Sequence, residues 1–456
     1  MRTAEVPSQS LLDNPGSIGE PDRGPQAGAQ AQKLSVPGGA ALYIGALLGP
    51  GLLLLPGLAA AQAGPAALLA WLALLAASAL LAVVFAALGK AYPSAGGVVG
   101  YTAAGLGARA GAAAGWCFLA GVICGAPIVC LIGASYVTDL TGGGQPLRRT
   151  VAAVLLLVVL GLALGGVRTT TSVQLGLVAL LITVVILAVA GSAPSARAAN
   201  WTPFAPHGWA AIGHAASTLM LSFVGWEAVA PLTTRFTAPS RQLPRVIATA
   251  FAATTVLYLG LAVATIAVLG THTGTSVPLA DLLQHAIGPP GRAAAAVAAV
   301  VLTVGATNAY LSGAATMAIE LTTRTAARRH PRSARQFLTL IASAGFLVIV
   351  LYSLHVVTTP QLVTVPTTLF LAVYLGCTIS AARTLAGRAR LAALPALTAV
   401  IAVLLFCGWA LAITAAVAIT AALTTKSLRS PPPQHIRSGP AVDSHGDRPE
   451  QAPALR

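Results

Sequence analysis

Charge is what this chain of 456 residues has least of. Only 37 residues are charged, 8%, against roughly a quarter in an ordinary soluble domain. Fifteen of the 37 stand in residues 1–37 and 426–456, leaving 22 for the 388 residues between. A water-exposed surface of that size cannot be covered with so few. A soluble enzyme, a fibrous protein and a nucleic-acid binder are therefore excluded, although the net charge is +15. Cysteine is scarce as well. The five, Cys117, Cys124, Cys130, Cys377 and Cys407, lie in apolar stretches. None makes a CxxC pair or a Cys/His cluster, so no zinc site is expected and each reads as a small lipid- or core-facing residue. Of eight histidines only His214 and His355 fall in apolar runs, and neither has an acid or a second His at ligand spacing. No GxSG nucleophile turn and no GxxxxGK[ST] phosphate loop occurs, which argues against an intramembrane enzyme, a cofactor and ATP as an energy source. No filter repeat or pore-lining charge series suggests a channel.

Apolar residues make up 56% of the chain. They run continuously and do not alternate, which fits membrane helices and not a transmembrane barrel. Twelve runs of spanning character lie between residues 38 and 425, the last two parted only by Gly408 and Trp409. A shorter piece from Val277 to Ile287 contains Asp281 and His285 and is too polar to span. With both termini inside, the inner loops hold fourteen Lys/Arg and the outer loops four, Arg148, Arg149, Arg197 and Arg292. That bias satisfies the positive-inside rule, and it assigns the basic surplus to orientation and contact with anionic lipid. Residues 1–37 and 426–456 are polar and Pro/Gly/Ser-rich and read as disordered cytoplasmic tails. No early apolar segment resembles a secretory signal, so the first span is the expected insertion signal.

Two spans carry breaks. Span 1 reads LYIGALLGPGLLLLPGLAAAQAG, with Gly49-Pro50-Gly51 in its middle and Pro56 beyond. Pro50 lacks an N–H and clashes with the preceding turn, and the glycines relax φ. Unwinding is expected there, with a second kink at Pro56. Broken backbone is tolerated in a bilayer only against protein or a cavity. Half-helix ends offer N–H groups to a carboxylate and carbonyls to an ammonium; a plain proline kink without a ligand is the alternative. Span 6, LMLSFVGWEAVAPL, places Gly225, Trp226 and Glu227 together before Pro231. Glu227 is the one acid well inside a span, with no charged partner at i+4. An intramembrane carboxylate is costly and marks function, which makes Glu227 the candidate proton carrier; a neutral Glu stapling the break is the alternative. Two interrupted spans in corresponding positions point to a five-plus-five inverted repeat, about 38–191 and 208–382, with two extra helices at about 390–425.

These residues are recognisable together. LLGPGLLLLPG, AYPSAGG after span 2, and F-x-G-x-E followed by a basic, proline-containing turn resemble the amino acid–polyamine–organocation superfamily across roughly residues 38–425. Asn308 and Tyr310 in TNAYLSGAA, and the closing GRARLAALPALTAVIAVLLFCGWAL, resemble its bacterial exporters of methionine and branched-chain amino acids. The resemblance implies an all-α secondary transporter in the plasma (inner) membrane that moves amino acids by alternating access, by efflux or exchange of neutral substrates and with a coupling proton. An importer, or an antiporter of cationic amino acids or polyamines, on the same fold stays open. It further implies that the substrate carboxylate rests on the backbone at Gly49, Gly51 and Leu52. The ammonium would meet the carbonyls of Leu47, Leu221 and Val224 beside Gly225, and Trp226 would be a gate. Pro50 departs from the Ser or Thr of many relatives, so a hydroxyl is missing where the carboxylate lies. Leu221, where some arginine-exchanging relatives place an aromatic, argues against a cationic substrate. Span 5 contains no Lys that could stand in for a coupling ion. Gly121, Cys124, Gly125 and Ala126 on span 3, with Asn308 on span 8, suggest a small aliphatic pocket. Small residues also serve close helix packing, which is the competing reading.

Overall fold

The structure, a computed structural model, describes residues 35–92, 97–166, 170–228, 236–270, 275–325, 332–354 and 356–425. They form a helical bundle. Among the described residues, eight stretches are long and apolar enough to cross a membrane, and four shorter apolar helices bring the number to twelve.

The first span is three pieces. Helix α1 (Val36–Leu47) starts where the Ser35 hydroxyl accepts from the Gly38 N–H at 3.2 Å, an ordinary N-cap. It stops before Gly49-Pro50, a single 3₁₀ turn spans Pro50–Leu53, and α2 covers Leu55–Ala63. Pro56 does not kink this outer half. It sits in the first turn of α2, where its missing N–H would have been unpaired anyway. Next come α3 (Ala67–Ala91), a short α4 (Val98–Leu106), α5 (Ala108–Thr141), α6 (Gln145–Leu164) and α7 (Thr171–Ser192).

The second interrupted span begins as α8 (Ala210–Leu219), tightens to a 3₁₀ turn at Met220–Phe223, and then leaves helical geometry. Val224 is extended and Gly225 has φ +147°. Beyond residue 228 the chain resumes in α9 (Pro239–Ala264), a short α10 (Pro278–Ile287), α11 (Pro290–Thr325), α12 (Arg332–Ser353), α13 (Thr359–Thr384), α14 (Gly387–Leu404) and α15 (Ala410–Thr424). Gly408, at φ +57°, makes the turn between the last two.

Packing sorts these helices by depth. Within its apolar stretch 72% of α5 is buried by the rest of the chain, against 28% for α6, α7 and α14. The latter therefore face lipid, and α5 is the pillar that α6, α11 and α13 pack around. Apolar side chains such as Leu157, Phe346 and Leu423 point outward, as a bilayer permits and water would not. On the α10 side, Arg292 joins three elements: its guanidinium bonds Asp139 of α5 at 2.7 Å and Asp281 of α10 at 2.9 Å. Burial raises the Asp281 carboxyl above its ordinary range, opposed by the hydrogen bond from Thr275 and by the Arg292 charge.

Candidate functional site

The two breaks meet. A Cβ on Gly225 would lie 2.6 Å from the carbonyl oxygen of Ala46, so the second break rests on the backbone of the first. Only glycine fits there, by space and by its positive φ.

Each break strands backbone groups that a continuous helix would pair. Tyrosines reach in to serve them. Tyr258 of α9 places its hydroxyl between the carbonyls of Leu47, at 2.7 Å, and Ser222, at 2.5 Å. One O–H thus spans the two breaks. Tyr310 of α11 donates to Ala46 at 3.3 Å, and Tyr136 of α5 to Leu53 at 2.6 Å. Tyr374 of α13 donates to Glu227 Oε2 at 2.6 Å and accepts from the Gly225 N–H at 3.1 Å. Glu227 Oε2 also accepts from that N–H, at 2.9 Å. The carboxylate is therefore part of the second break's hydrogen bonding. Behind it, Trp71, Phe223 and Tyr258 pack with ring centroids 5.1 to 5.8 Å apart, holding the Tyr258 hydroxyl in position.

A cavity of about 80 Å³ lies where the breaks face α5, α11 and α13. Gly49 and Gly51 line it from the first span, Leu221 and Val224 from the sixth, and Gly121, Gly125 and Phe370 from the opposite wall. No charged side chain lines it among the described residues. Its polar edge is Thr307 and Tyr310. Thr307 Oγ1 and the nearby Ser222 Oγ are buried, with no hydrogen-bond partner among the described residues. Ser222 Oγ lies 3.4 Å from where a Gly51 Cβ would sit.

Of the positions singled out in the sequence, Gly49, Gly51, Leu221 and Val224 come together on this cavity. Leu47 and Leu52 sit behind it. The Leu47 carbonyl also accepts from the Gly49 N–H at 2.9 Å, and the Leu52 N–H donates to Gly49 at 3.1 Å. Pro50 belongs to the 3₁₀ turn, and its side chain lies outside the described residues. Asn308 is buried next to Thr307, and its carbonyl accepts from Ser312 at 2.8 Å. Trp226 is fully buried and its indole N–H bonds Ser78 of α3 at 2.8 Å, behind the cavity wall. Ser222, Thr307, Tyr258 and Tyr374 are the residues that sequence reading passed over. One signal was present: eight tyrosines in all, several inside apolar spans, where each hydroxyl must find a partner.

The amino acid permease family matches residues 34–426 of the chain. The chain belongs to that family. This permease is 32% identical over 317 residues to an uncharacterised amino acid permease, YecA, of Bacillus subtilis, covering 66% of this chain and 73% of the relative. It is also 32% identical over 171 residues to the L-methionine/branched-chain amino acid exporter YjeH of Escherichia coli, over 36% of this chain and 40% of that one. Among solved structures, that of MhsT in complex with L-phenylalanine superposes with a TM-score of 0.57 at 17% identity, over 87% of this permease and 99% of the other chain. This is a likeness of fold. The permease is a multi-pass membrane protein of the amino acid–polyamine–organocation superfamily.

Proposed function

We propose that this permease carries neutral amino acids with medium apolar side chains, methionine, leucine, isoleucine and valine, across the plasma membrane by alternating access, in efflux or exchange. The observation that carries this reading is the central cavity: main-chain dipoles of two broken spans on one side and small or apolar walls without charge on the other. A zwitterion needs both signs at its α-carbon and, for these substrates, none beyond it. In this reading the ammonium takes the Leu47, Leu221 and Val224 carbonyls. The carboxylate takes the backbone of the Pro50–Leu53 turn, and the Ser222 hydroxyl supplies, from the opposite break, the donor that Pro50 lacks. The exporter YjeH favours the same substrates by its name. The bias of Lys/Arg toward one set of loops favours cytoplasmic termini.

Glu227 is the proposed site of the coupling proton. It stands in the second break, bonded to Gly225 and Tyr374, so its charge state acts on the backbone that binds substrate. Glu227→Gln keeps an acceptor oxygen for both donors. Methionine binding should survive while the pH dependence of transport is lost; an unchanged pH profile removes the proton role.

Counterflow in proteoliposomes tests the whole reading. With unlabelled methionine inside, external labelled methionine should accumulate, blocked by leucine but not by arginine or putrescine. Competition by arginine or putrescine, or no counterflow at all, overturns the neutral-substrate reading and leaves the family untouched.

A further inference from the structure

Two cations stand side by side where few are expected. Of the four Lys/Arg assigned to the outer loops, Arg148 and Arg149 are neighbours, near the start of α6. That helix has 20 residues, about 30 Å of rise, which matches the hydrocarbon thickness of a bilayer. Its first turns therefore lie at the depth of the lipid headgroups, on the α10 side. A long basic side chain at that depth ordinarily snorkels into water. These two fold back instead. The Nε of each is buried without a hydrogen-bond partner among the described residues, and both guanidiniums meet the C-terminal end of α12. The Arg148 guanidinium carbon stands 4.9 Å from the centre of the Tyr352 ring, and Arg149 donates to the Ser353 carbonyl at 2.9 Å.

No carboxylate balances the pair among the described residues. The acids on this side, Asp139 and Asp281, both bond Arg292. Adjacent half-buried guanidiniums repel each other, and one ring and one carbonyl return only part of their lost hydration. An anion shared by both removes the repulsion. Phosphate suits them, since its several acceptor oxygens can engage two planar forks at once. The surroundings suit a chain attached to that phosphate. Leu147 before the pair, and Leu354 and Val356 just past Ser353, are exposed. Apolar side chains beside a cation pair offer nothing to a soluble anion and a contact surface to a lipid.

We propose that Arg148 and Arg149 hold the phosphate of an anionic phospholipid in the leaflet on the α10 side, with its acyl chains against the exposed Leu and Val residues. The lipid ties the start of α6 to the end of α12. The site is independent of which substrate the permease carries.

The test uses the full-length permease, purified and stripped of lipid. Binding of the first phosphatidylglycerol is titrated by native mass spectrometry, with thermal unfolding of each lipid-free variant as a check on folding. Arg148→Gln gives up no hydrogen bond to the described residues. It should weaken phosphatidylglycerol binding about ten-fold, as loss of one charge-assisted hydrogen bond predicts. Arg149→Gln should do the same, and Arg148→Lys, which keeps the charge without the fork, should fall between. Arg388→Gln combined with Arg390→Gln, at the other membrane face on α14, should leave the binding unchanged. Equal binding by a folded Arg148→Gln, or an equal loss in the α14 variant, overturns the site. Equal binding of phosphatidylcholine, whose phosphate charge is offset by its own choline, overturns the need for an anion. Glycerol 3-phosphate should not compete; displacement of the lipid at comparable concentration would make this a site for soluble phosphate esters and overturn the lipid.

Discussion

Tyr258→Phe is the sharpest test of how the two breaks are held. The substitution removes one oxygen and leaves the ring, so its contacts with Trp71 and Phe223, at 5.1 and 5.2 Å, persist and no cavity opens. What is lost is the donor shared by the Leu47 and Ser222 carbonyls. Both residues are buried, at 3% and 2% exposure, so water does not replace it. Leu47 keeps the Gly49 N–H; the Ser222 carbonyl loses the Tyr258 donor. A buried acceptor left without a donor costs about 1–3 kcal/mol, and the empty protein should lose stability in that range. Substrate changes the balance. In the proposed reading an ammonium arriving at Leu47 should replace the missing donor there and return about 1 kcal/mol, or roughly five-fold in apparent affinity. The assay is thermal unfolding in detergent with and without saturating methionine, alongside equilibrium binding. The variant should be less stable when empty and should gain more from methionine than wild type does. Undiminished stability of the empty variant refutes the hydroxyl's role in bracing the breaks. Weaker or unchanged methionine affinity refutes the Leu47 carbonyl as an ammonium acceptor.

Three further outcomes are expected. Gly225→Ala must push a Cβ into the Ala46 carbonyl, 2.6 Å away, and hold a side chain at positive φ; a loss of more than about 3 kcal/mol is expected, read as failure to recover monodisperse protein, and normal yield and melting would contradict the backbone contact. At Gly125 an added Cβ meets only Pro366, at 3.8 Å, so Gly125→Leu should fill the cavity and abolish leucine and methionine counterflow before alanine counterflow, whereas equal losses would indicate a packing defect. Trp226→Phe removes the bond to Ser78 and should cost about 1 kcal/mol of stability with little change in KM; a raised KM at unchanged melting temperature would place the indole in the gate.

Most of the architecture was legible in the sequence, because a bilayer allows few solutions. A run of about 20 apolar residues must be a helix. Proline between two glycines must interrupt it. The spans and the first break follow from those rules; the four cavity-lining positions Gly49, Gly51, Leu221 and Val224 came from the resemblance to the superfamily. What could not be read is direction and partnership. The sequence gives no warning that Pro56 initiates α2, because a proline reads alike as a kink and as a first-turn residue until the helix start is known. Tyr258 stands 211 residues from Leu47, and no local pattern links them. Trp226 follows Val224, with ψ 132°, and Gly225, with φ +147°. Those angles reset the helical phase, so the side chains of Trp226 and Glu227 could not be aimed by counting residues.

The close approach of Gly225 to Ala46 divides the labour of recognition. With no side chain between them, the two broken spans form a single main-chain surface, and main chain is the same whatever residues it carries. In the proposed reading, that surface addresses what all α-amino acids have in common. In that reading the part that differs, the side chain, faces small and aliphatic residues of α5, Ala306 and Leu311 of α11 and the Phe370 ring of α13. Substitutions on those three helices can retune the range of accepted substrates one at a time, while a change at the junction of the breaks falls on every substrate alike.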